Sequence, residues 1–358
     1  MNHIKYMRRC LQLAKKGVFT TPPNPMVGSV VVYDDKIIGE GYHIKPGLPH
    51  AEINAINSVK EKHLLDKSTL YVNLEPCSHY GKTPPCALKI AELGIKEVVI
   101  GVKDYSSKVN GKGIKILQDA GVKVTVGVLK EEAFEINKRF FVNQLLNRPF
   151  IILKWAQTAD GFIDYLYKKE RKINWITDDY SKLKVHKQRS EVSAVLVGAE
   201  TIRKDNPMLT VREWYATRQP KRIVFLSKLT NDMLDAHIFE DLNSTIIVNF
   251  APPTNYKFDD KINILEAYGK SLSEVLLELY EKYNVYSVVV EGGKKTLETF
   301  INSGLWDEAY IFTGFVKFGK GIEAPQIKGT VQNYKFVDDI ATKVLRNPVY
   351  ESFVDRFQ

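Results

Sequence analysis

Three cysteines among 358 residues are too sparse and too odd a set for a disulfide framework. A reducing compartment, the cytoplasm, is expected, with every thiol free. Long hydrophobic runs are also missing, and no apolar stretch is long enough to cross a bilayer. Residues 1–16 carry lysine and arginine through their apolar positions and lack the continuous apolar segment and small-residue cleavage site of a secretory signal, so secretion is not expected. There is no Walker loop and no conventional strand–glycine–helix dinucleotide unit. What is present is the composition of a globular protein with a formal charge of +9. Such a charge suits a nucleic-acid binder, an enzyme of phosphorylated metabolites, or a merely solvated lysine-rich surface, and does not separate them. The chain is too long for one ordinary core and reads as two domains.

Two of the cysteines, Cys77 and Cys86, fall in a motif with Pro49-His50-Ala51-Glu52. One histidine and two cysteines hold zinc through three protein ligands and leave the fourth tetrahedral position open, as a catalytic site requires. A structural ion would need a fourth ligand; His79 is the nearby candidate, but that arrangement would leave Glu52 idle. With Glu52 free to move protons, this is the ligand set of the zinc-dependent nucleobase deaminases. The cysteine spacing departs from the short P-C-x-x-C form of those enzymes by a longer insert, residues 78–85.

Ile4, Met7, Leu11 and Ala14 recur at helical spacing and Gly17 follows as a stop, which predicts an opening amphipathic helix with Cys10 in its core face. The proline-dense run 21–28 predicts extended backbone feeding a buried strand, 27–33, that turns at Asp34-Asp35-Lys36 into a second, 37–43. Asn24 is held just before a strand, where its amide either reads a pyrimidine edge or satisfies the turn. His50 opens a predicted helix, 51–62, and Cys86 another, 87–93, so two helix amino termini meet at the ion and favour thiolate. Strands at 69–74, 97–102 and 122–126 alternate with helices at 113–120 and 131–146, an α/β pattern.

These segments resemble the deaminase half of the bifunctional deaminase/reductase family of riboflavin biosynthesis. The resemblance is carried by residues 22–28, by His50 to Glu52, and above all by the insert ending Gly81-Lys82-Thr83-Pro84-Pro85-Cys86, which separates that family from cytidine, guanine and tRNA adenosine deaminases. It implies a cytidine-deaminase-like three-layer α/β domain, one Zn2+ per chain on His50, Cys77 and Cys86, proton transfer by Glu52, and substrate contacts from Asn24, His43, His79 and Lys82. Lys82 suits a phosphate, as a mobile point charge. Where the family has an Asp-Pro-Asn-Pro turn this chain has Asp104-Tyr105-Ser106-Ser107. Asp104 is retained as a contact to the ribose phosphate moiety, with Ser106 as a shorter substitute for the asparagine.

Asn147-Arg148-Pro149 breaks the last helix and an apolar strand, 150–155, follows, placing the boundary between domains 1–148 and 149–358. Lys154 is predicted buried near a strand end, where lysine is uncommon unless it meets an anion or a reacting group. Further strands are predicted at 193–198, 222–227, 245–249 and 286–290, with helices at 272–283 and 294–303. Glu291-Gly292-Gly293 between strand and helix makes either an ordinary turn or an anion site with backbone N–H groups exposed. Gly319-Lys320-Gly321-Ile322-Glu323-Ala324 matches G-x-G-x-x-A, but Pro325 follows and no helix opens there. Residues 154–161, Trp175-Ile176-Thr177, 205–212 and 291–293 resemble the reductase half of the same family. That half implies a dihydrofolate-reductase-like α/β fold and NADPH. It places cofactor contacts at Ala156, Trp175, Thr201, Asp205, Ser227 and Gly293, and substrate contacts at Lys154, Arg189, Leu209, Arg212 and Glu291, with Arg189 and Arg212 sharing the substrate phosphate. Ile173 stands where the family often has a substrate-binding serine, and the loop 162–174 is lysine-rich and longer than usual.

The function expected is zinc-dependent deamination of a diamino-oxo-pyrimidine bearing a phosphoribosylamino group, then NADPH-dependent reduction of the ribosyl to a ribityl chain. The partners expected are this small molecule and further copies of the chain, a homo-oligomer, with no nucleic acid and no membrane. Two alternatives remain: a deaminase whose reductase half has decayed, and a tRNA or nucleobase deaminase with a carboxy-terminal binding module.

Overall fold

The computed structural model describes residues 2–80, 84–167, 174–227, 235–241, 243–252 and 262–357. It divides into two compact units, Met1–Asn147 and Arg148–Phe357. Among the described residues no helix is long and apolar enough to cross a membrane.

The first unit opens with helix α1 (His3–Ala14), capped by the Asn2 side chain, which accepts from the Lys5 amide. Strands β1 (Gly28–Tyr33) and β2 (Lys36–Tyr42) form an antiparallel hairpin. Helix α2 (Ala51–Ser58), strand β3 (Thr69–Leu74), helix α3 (Cys86–Glu92) and strand β4 (Glu97–Val102) follow, then helix α4 (Lys112–Asp119), strand β5 (Lys123–Val126) and helices α5 (Lys130–Ile136) and α6 (Lys138–Leu146). The sheet order is β2-β1-β3-β4-β5, with β3, β4 and β5 parallel.

Side-chain alternation along β1 sends the chain to two layers. Val30 and Val32 pack with Tyr6, Met7, Cys10 and Leu13 of α1. Ser29 and Val31 lie opposite Gly41 and Gly39 in the register. Those glycines face α2, because a Cβ on either would stand 2.5 Å from the Ala55 backbone. Helices therefore cover both faces of the sheet, a three-layer arrangement. Gly28 shares the α1 face, and a Cβ there would collide with the Cys10 carbonyl oxygen and the Ala14 nitrogen, backbone atoms that cannot turn aside. Gly28→Ala should destabilise this unit by about 1–3 kcal/mol, read as a lowered denaturation midpoint.

Two helix limits differ from the sequence pattern, each for a tertiary reason. The predicted helix 51–62 stops at Ser58: Val59 turns extended to be buried, and the Lys62 ammonium bonds the Ile56 and Asn57 carbonyls that a longer helix would have used. The predicted helix 131–146 is cut at Asn137, whose side chain accepts from the Met26 amide (2.8 Å) and donates to its carbonyl (3.0 Å).

In the second unit, strand β6 (Phe150–Gln157) and the short strand β7 (Phe162–Asp164) precede helix α7 (Asp179–Ser190). Strand β8 (Ala194–Gly198), helix α8 (Ala199–Asp205), strand β9 (Lys221–Leu226), helix α9 (His237–Glu240) and strands β10 (Thr245–Asn249) and β11 (Ile262–Glu266) come next. Helix α10 (Leu272–Glu281), strand β12 (Ser287–Val290), helix α11 (Lys294–Ser303) and strand β13 (Glu308–Gly314) lead to strands β14 (Ile322–Glu323), β15 (Thr330–Val337) and β16 (Ile340–Arg346) and helix α12 (Pro348–Asp355). The main sheet runs β11-β10-β9-β8-β12-β6-β13-β16-β15. Its first seven strands are parallel and the last two form an antiparallel hairpin.

The chain winds outward from β6 through β8 to β11, then returns to insert β12 between β8 and β6. That reversal leaves a crevice beyond the carboxyl ends of the central strands, the usual ligand position in open α/β sheets. Buried Asp307 pins the start of β6: its carboxylate takes both forked bonds from Arg148 (2.7 Å each) and one from the Ile151 amide. The Gly319 to Ala324 stretch is not a nucleotide loop. Phe318 and Gly319 amides bond the Asp160 carboxylate, and β14 pairs with β7 so closely that a side chain at Gly321 would strike the Asp164 carbonyl.

Candidate functional site

His50 is the N-cap residue of α2 and Cys86 the first residue of α3, while Cys77 follows the end of β3 by three residues. Strand and helix termini thus bring three distant side chains to one point. His50 Nδ1 lies 3.4 Å from both Cys77 Sγ and Cys86 Sγ, and all three donor atoms fall within 4.8 Å of one another. Zinc–sulfur bonds of about 2.3 Å and zinc–nitrogen bonds of about 2.0 Å at tetrahedral angles place such donors about 3.5 Å apart. The residues fit a zinc ion in spacing and in kind, two sulfurs and an imidazole. The Cys77 thiol is drawn down to about 4, first by its hydrogen bond with Cys86 and then by His50. Cys86 is pushed up by the same sharing of a proton, and His50 is raised to about 9, chiefly by its bond to Cys77.

Glu52, in the first turn of α2, is 3% exposed. Burial lifts its carboxyl to about 7, against the opposing pull of His50. A carboxyl near neutrality beside a metal-donor triad is suited to take up and return a proton. Beside it, buried His43 lies edge-on to the His50 ring at 5.4 Å, with Nδ1 3.3 Å from the Pro49 carbonyl and Nε2 3.0 Å from Asn24 Nδ2. Burial lowers the His43 pKa. His79 is exposed, and its charge and that of Cys77 both act on the buried Asp104 carboxyl. His43 thus meets both Asn24 and His50, while His79, Asp104 and Cys77 share one electrostatic neighbourhood. Lys82 lies outside the described residues.

One residue with no role in the sequence reading is Glu75, two positions before Cys77. Buried at the end of β3, it accepts four backbone N–H bonds of 2.9–3.1 Å from Asp104, Gly111, Gly113 and Ile114. Only its place in a strand-to-turn junction was visible beforehand.

In the second unit, a cavity of about 830 Å3 opens beyond the carboxyl ends of β6, β8, β9 and β12. Ala156, Thr201, Asp205, Ser227 and Gly293 line it among the residues expected to hold cofactor, and Lys154 and Glu291 among those expected to hold substrate. Gly293, the N-cap residue of α11, has φ +71°, a backbone that favours glycine. Trp175, Arg189, Leu209 and Arg212 are not part of the lining. Trp175 is exposed, with the Lys182 ammonium 5.2 Å from its ring centre. Leu209 sits at φ +55° with its side chain in a core cluster beside Val197 and Val224, so only its strained backbone is available to a ligand. Ile173 lies outside the described residues.

Glu291 ties the cavity floor together. Its carboxylate takes two forked bonds from Arg189 (2.6 and 2.7 Å) and approaches Lys154 Nζ at 3.4 Å. Burial pushes the carboxyl up, but the two cations outweigh it and hold Glu291 at about 2. Burial lowers the pKa of Lys154. The Arg189 guanidinium is paired with Glu291 and makes a further bond to the Thr210 carbonyl, while the exposed Arg212 guanidinium donates to Thr210 Oγ1.

Sequence comparison agrees with both halves. The family profile described as cytidine and deoxycytidylate deaminase zinc-binding region matches residues 1–102, and that of the RibD C-terminal domain matches residues 149–339. The riboflavin biosynthesis protein RibD of Aquifex aeolicus (strain VF5) is 41% identical over 320 residues, covering 88% of this chain and 88% of that protein. The chain belongs to the RibD family. It is a bifunctional deaminase and reductase of riboflavin biosynthesis. The Escherichia coli (strain K12) RibD is 34% identical over 324 residues, 86% of each chain. A solved structure from Thermotoga maritima, described as a diaminohydroxyphosphoribosylaminopyrimidine deaminase/5-amino-6-(5-phosphoribosylamino)uracil reductase, superposes with a TM-score of 0.86 at 37% identity, covering 96% of this chain and 98% of that one. A zinc-binding deaminase domain and a reductase domain imply zinc and a nicotinamide cofactor. A reductase domain, not a nucleic-acid module, follows the deaminase.

Proposed function

We propose that the enzyme deaminates 2,5-diamino-6-(5-phosphoribosylamino)pyrimidin-4-one and then reduces the ribosyl of the deaminated product to ribityl with NADPH. The observation that carries the first step is a buried carboxyl, Glu52, two residues from His50 and so beside a triad of zinc donors within 4.8 Å of one another. One zinc ion, held by His50 Nδ1, Cys77 Sγ and Cys86 Sγ, supplies the Lewis acidity that brings the pKa of water toward neutrality. Glu52 takes a proton from the attacking water on its carboxylate and gives it to the ring nitrogen, then takes the remaining proton of the added hydroxyl and gives it to the departing amino group, so that ammonia leaves and a ring carbonyl remains. Asn24 and His43 orient the pyrimidine, while His79, Lys82 and Asp104 meet the phosphoribosyl end.

For the second step, the ribosylamine opens at its C1′–O4′ bond to an imine, and NADPH supplies the hydride to C1′. The cavity beyond the sheet supports its binding along Ala156, Thr201, Asp205, Ser227 and Gly293, with Trp175 at the rim. Lys154 and Glu291 face the sugar, and Lys154 Nζ or the Asp205 carboxyl handles its proton. Arg212 binds the substrate phosphate; Arg189 serves by holding Glu291. The chain works in the cytoplasm as a homo-oligomer on a small molecule, with neither nucleic acid nor membrane as partner.

Metal removal tests the division of labour. A strong chelator should abolish ammonia release from the phosphoribosylaminopyrimidine, and added zinc should restore it. NADPH oxidation with the deaminated intermediate should be unchanged. Retained ammonia release after complete removal of zinc would sink the metal-assisted reading.

A further inference from the structure

The N-cap of helix α4 is Gly111, which has φ +86° and no side chain with which to cap it. The orphaned amide groups of its first turn are met instead from outside the helix. Glu75 Oε1 accepts from Gly113 and Ile114 (2.9 and 3.1 Å), and Oε2 accepts from Gly111 and Asp104 (3.0 and 3.1 Å). One buried carboxylate therefore caps a helix and gathers both ends of the loop 104–111. Negative charge at a helix amino terminus adds to the bonds. The first turn of α4, which closes the loop, abuts Pro76 so tightly that a Cβ on Gly113 would strike the Pro76 carbonyl. Within the loop, the Asp104 carboxylate is in turn oriented by the Ser106 amide at 2.8 Å. Glu75 and Pro76 lead directly into Cys77, so the same short segment presents a zinc donor on one side and seats the Asp104–Ser106 turn on the other.

We propose that Glu75 is a positioning residue for the deaminase reaction, which sets the Asp104–Ser106 turn at a fixed distance from Cys77 and so tunes recognition of the phosphoribosyl end of the substrate. It touches neither the reacting atoms nor the ligand. The proposal rests on the reading of Asp104 as a contact to that end. It separates Glu75 from Glu52: one places the tail of the substrate, the other moves the proton at its head.

Glu75→Gln keeps one acceptor oxygen but turns an NH2 group toward two backbone donors. In the zinc-loaded enzyme the KM for the phosphoribosylaminopyrimidine should rise about tenfold or more, with kcat for ammonia release nearly unchanged. The substrate without its phosphoribosyl group should be deaminated equally by wild type and variant. Zinc content and reduction of the deaminated intermediate should match wild type, reporting an intact chain. Gly113→Ala displaces the same loop from its other side and should give the same KM signature, so the idea stays testable if Glu75→Gln folds poorly. Asp104→Asn should also raise KM, and the double variant Glu75→Gln/Asp104→Asn should be little worse than Asp104→Asn alone. Equal losses on the full and truncated substrates, or loss of zinc with Gly113→Ala normal, would reduce Glu75 to a structural support and overturn the proposal. If Asp104→Asn leaves KM unchanged, the reading of Asp104 fails and takes the proposal with it; if Asp104→Asn raises KM while Glu75→Gln and Gly113→Ala do not, the proposal alone fails.

Discussion

Glu52→Gln should lower ammonia release by a factor on the order of 10² to 10⁴, the usual worth of a positioned general acid and base. The substitution is nearly isosteric and removes no zinc donor, so zinc content should hold. Glutamine neither takes the proton from the attacking water nor delivers one to the leaving amino group, so the loss should appear in kcat. The buried position makes rescue by solvent poor, since Glu52 is 3% exposed. Reduction of the pre-deaminated intermediate should continue at the wild-type rate, because that chemistry belongs to the second unit. The assay follows ammonia and NADPH separately. If ammonia release survives, or if both activities fall together, Glu52 is not the proton carrier.

Glu291→Gln should have the converse effect and a larger structural cost. The carboxylate neutralises two partly or wholly buried cations, Arg189 and Lys154, whose side chains are 12% and 14% exposed. Removing one member of such a buried group leaves the others without compensation, typically at about 3–5 kcal/mol. Reductase turnover should fall with it, since Lys154 and Glu291 both line the cavity, while ammonia release persists. The pH dependence follows from the sign of the shift. Glu291 has its carboxyl held at about 2 in the folded state against an ordinary value of 4.5. A depressed folded value means stabilisation that is complete above 4.5 and is lost as the pH falls through the window toward 2. The gap in denaturation midpoint between wild type and Glu291→Gln should therefore be widest near neutral pH and narrow inside that window. A gap that stays constant with pH would show that Glu291 does not act through its charge.

Much of the deaminase centre was legible in the sequence because its chemistry is written in rare residue types. Two cysteines, a histidine and a glutamate, with His50 and Cys86 at helix-starting positions, point to zinc-assisted deamination before any fold is known. The insert between the cysteines then narrows the family. Most of the parallel strands were legible as short apolar runs with turns between them, but β11 and β13 were not predicted. The carboxy-terminal hairpin was not: β15 is exposed almost along its whole length, so it carries no alternation of buried and exposed positions to read. The cut in the helix at Asn137 was equally hidden, because its cause is Met26, more than a hundred residues away in sequence.

Residue type and local spacing by themselves pointed to the candidate metal donors, the proposed proton carrier, the strand–helix alternation and the two-domain order, since each depends on neighbours within a few positions. Only the tertiary structure decided which polar side chains answer one another across the fold. Arg189, expected to hold a phosphate, is bound by Glu291, 102 residues away. Glu75, unremarked in its strand, collects four amides from residues 29 to 39 positions later. Long-range pairing of this kind follows from where buried charges and orphaned amide groups find partners. That is settled by packing, and no local pattern in the chain records it.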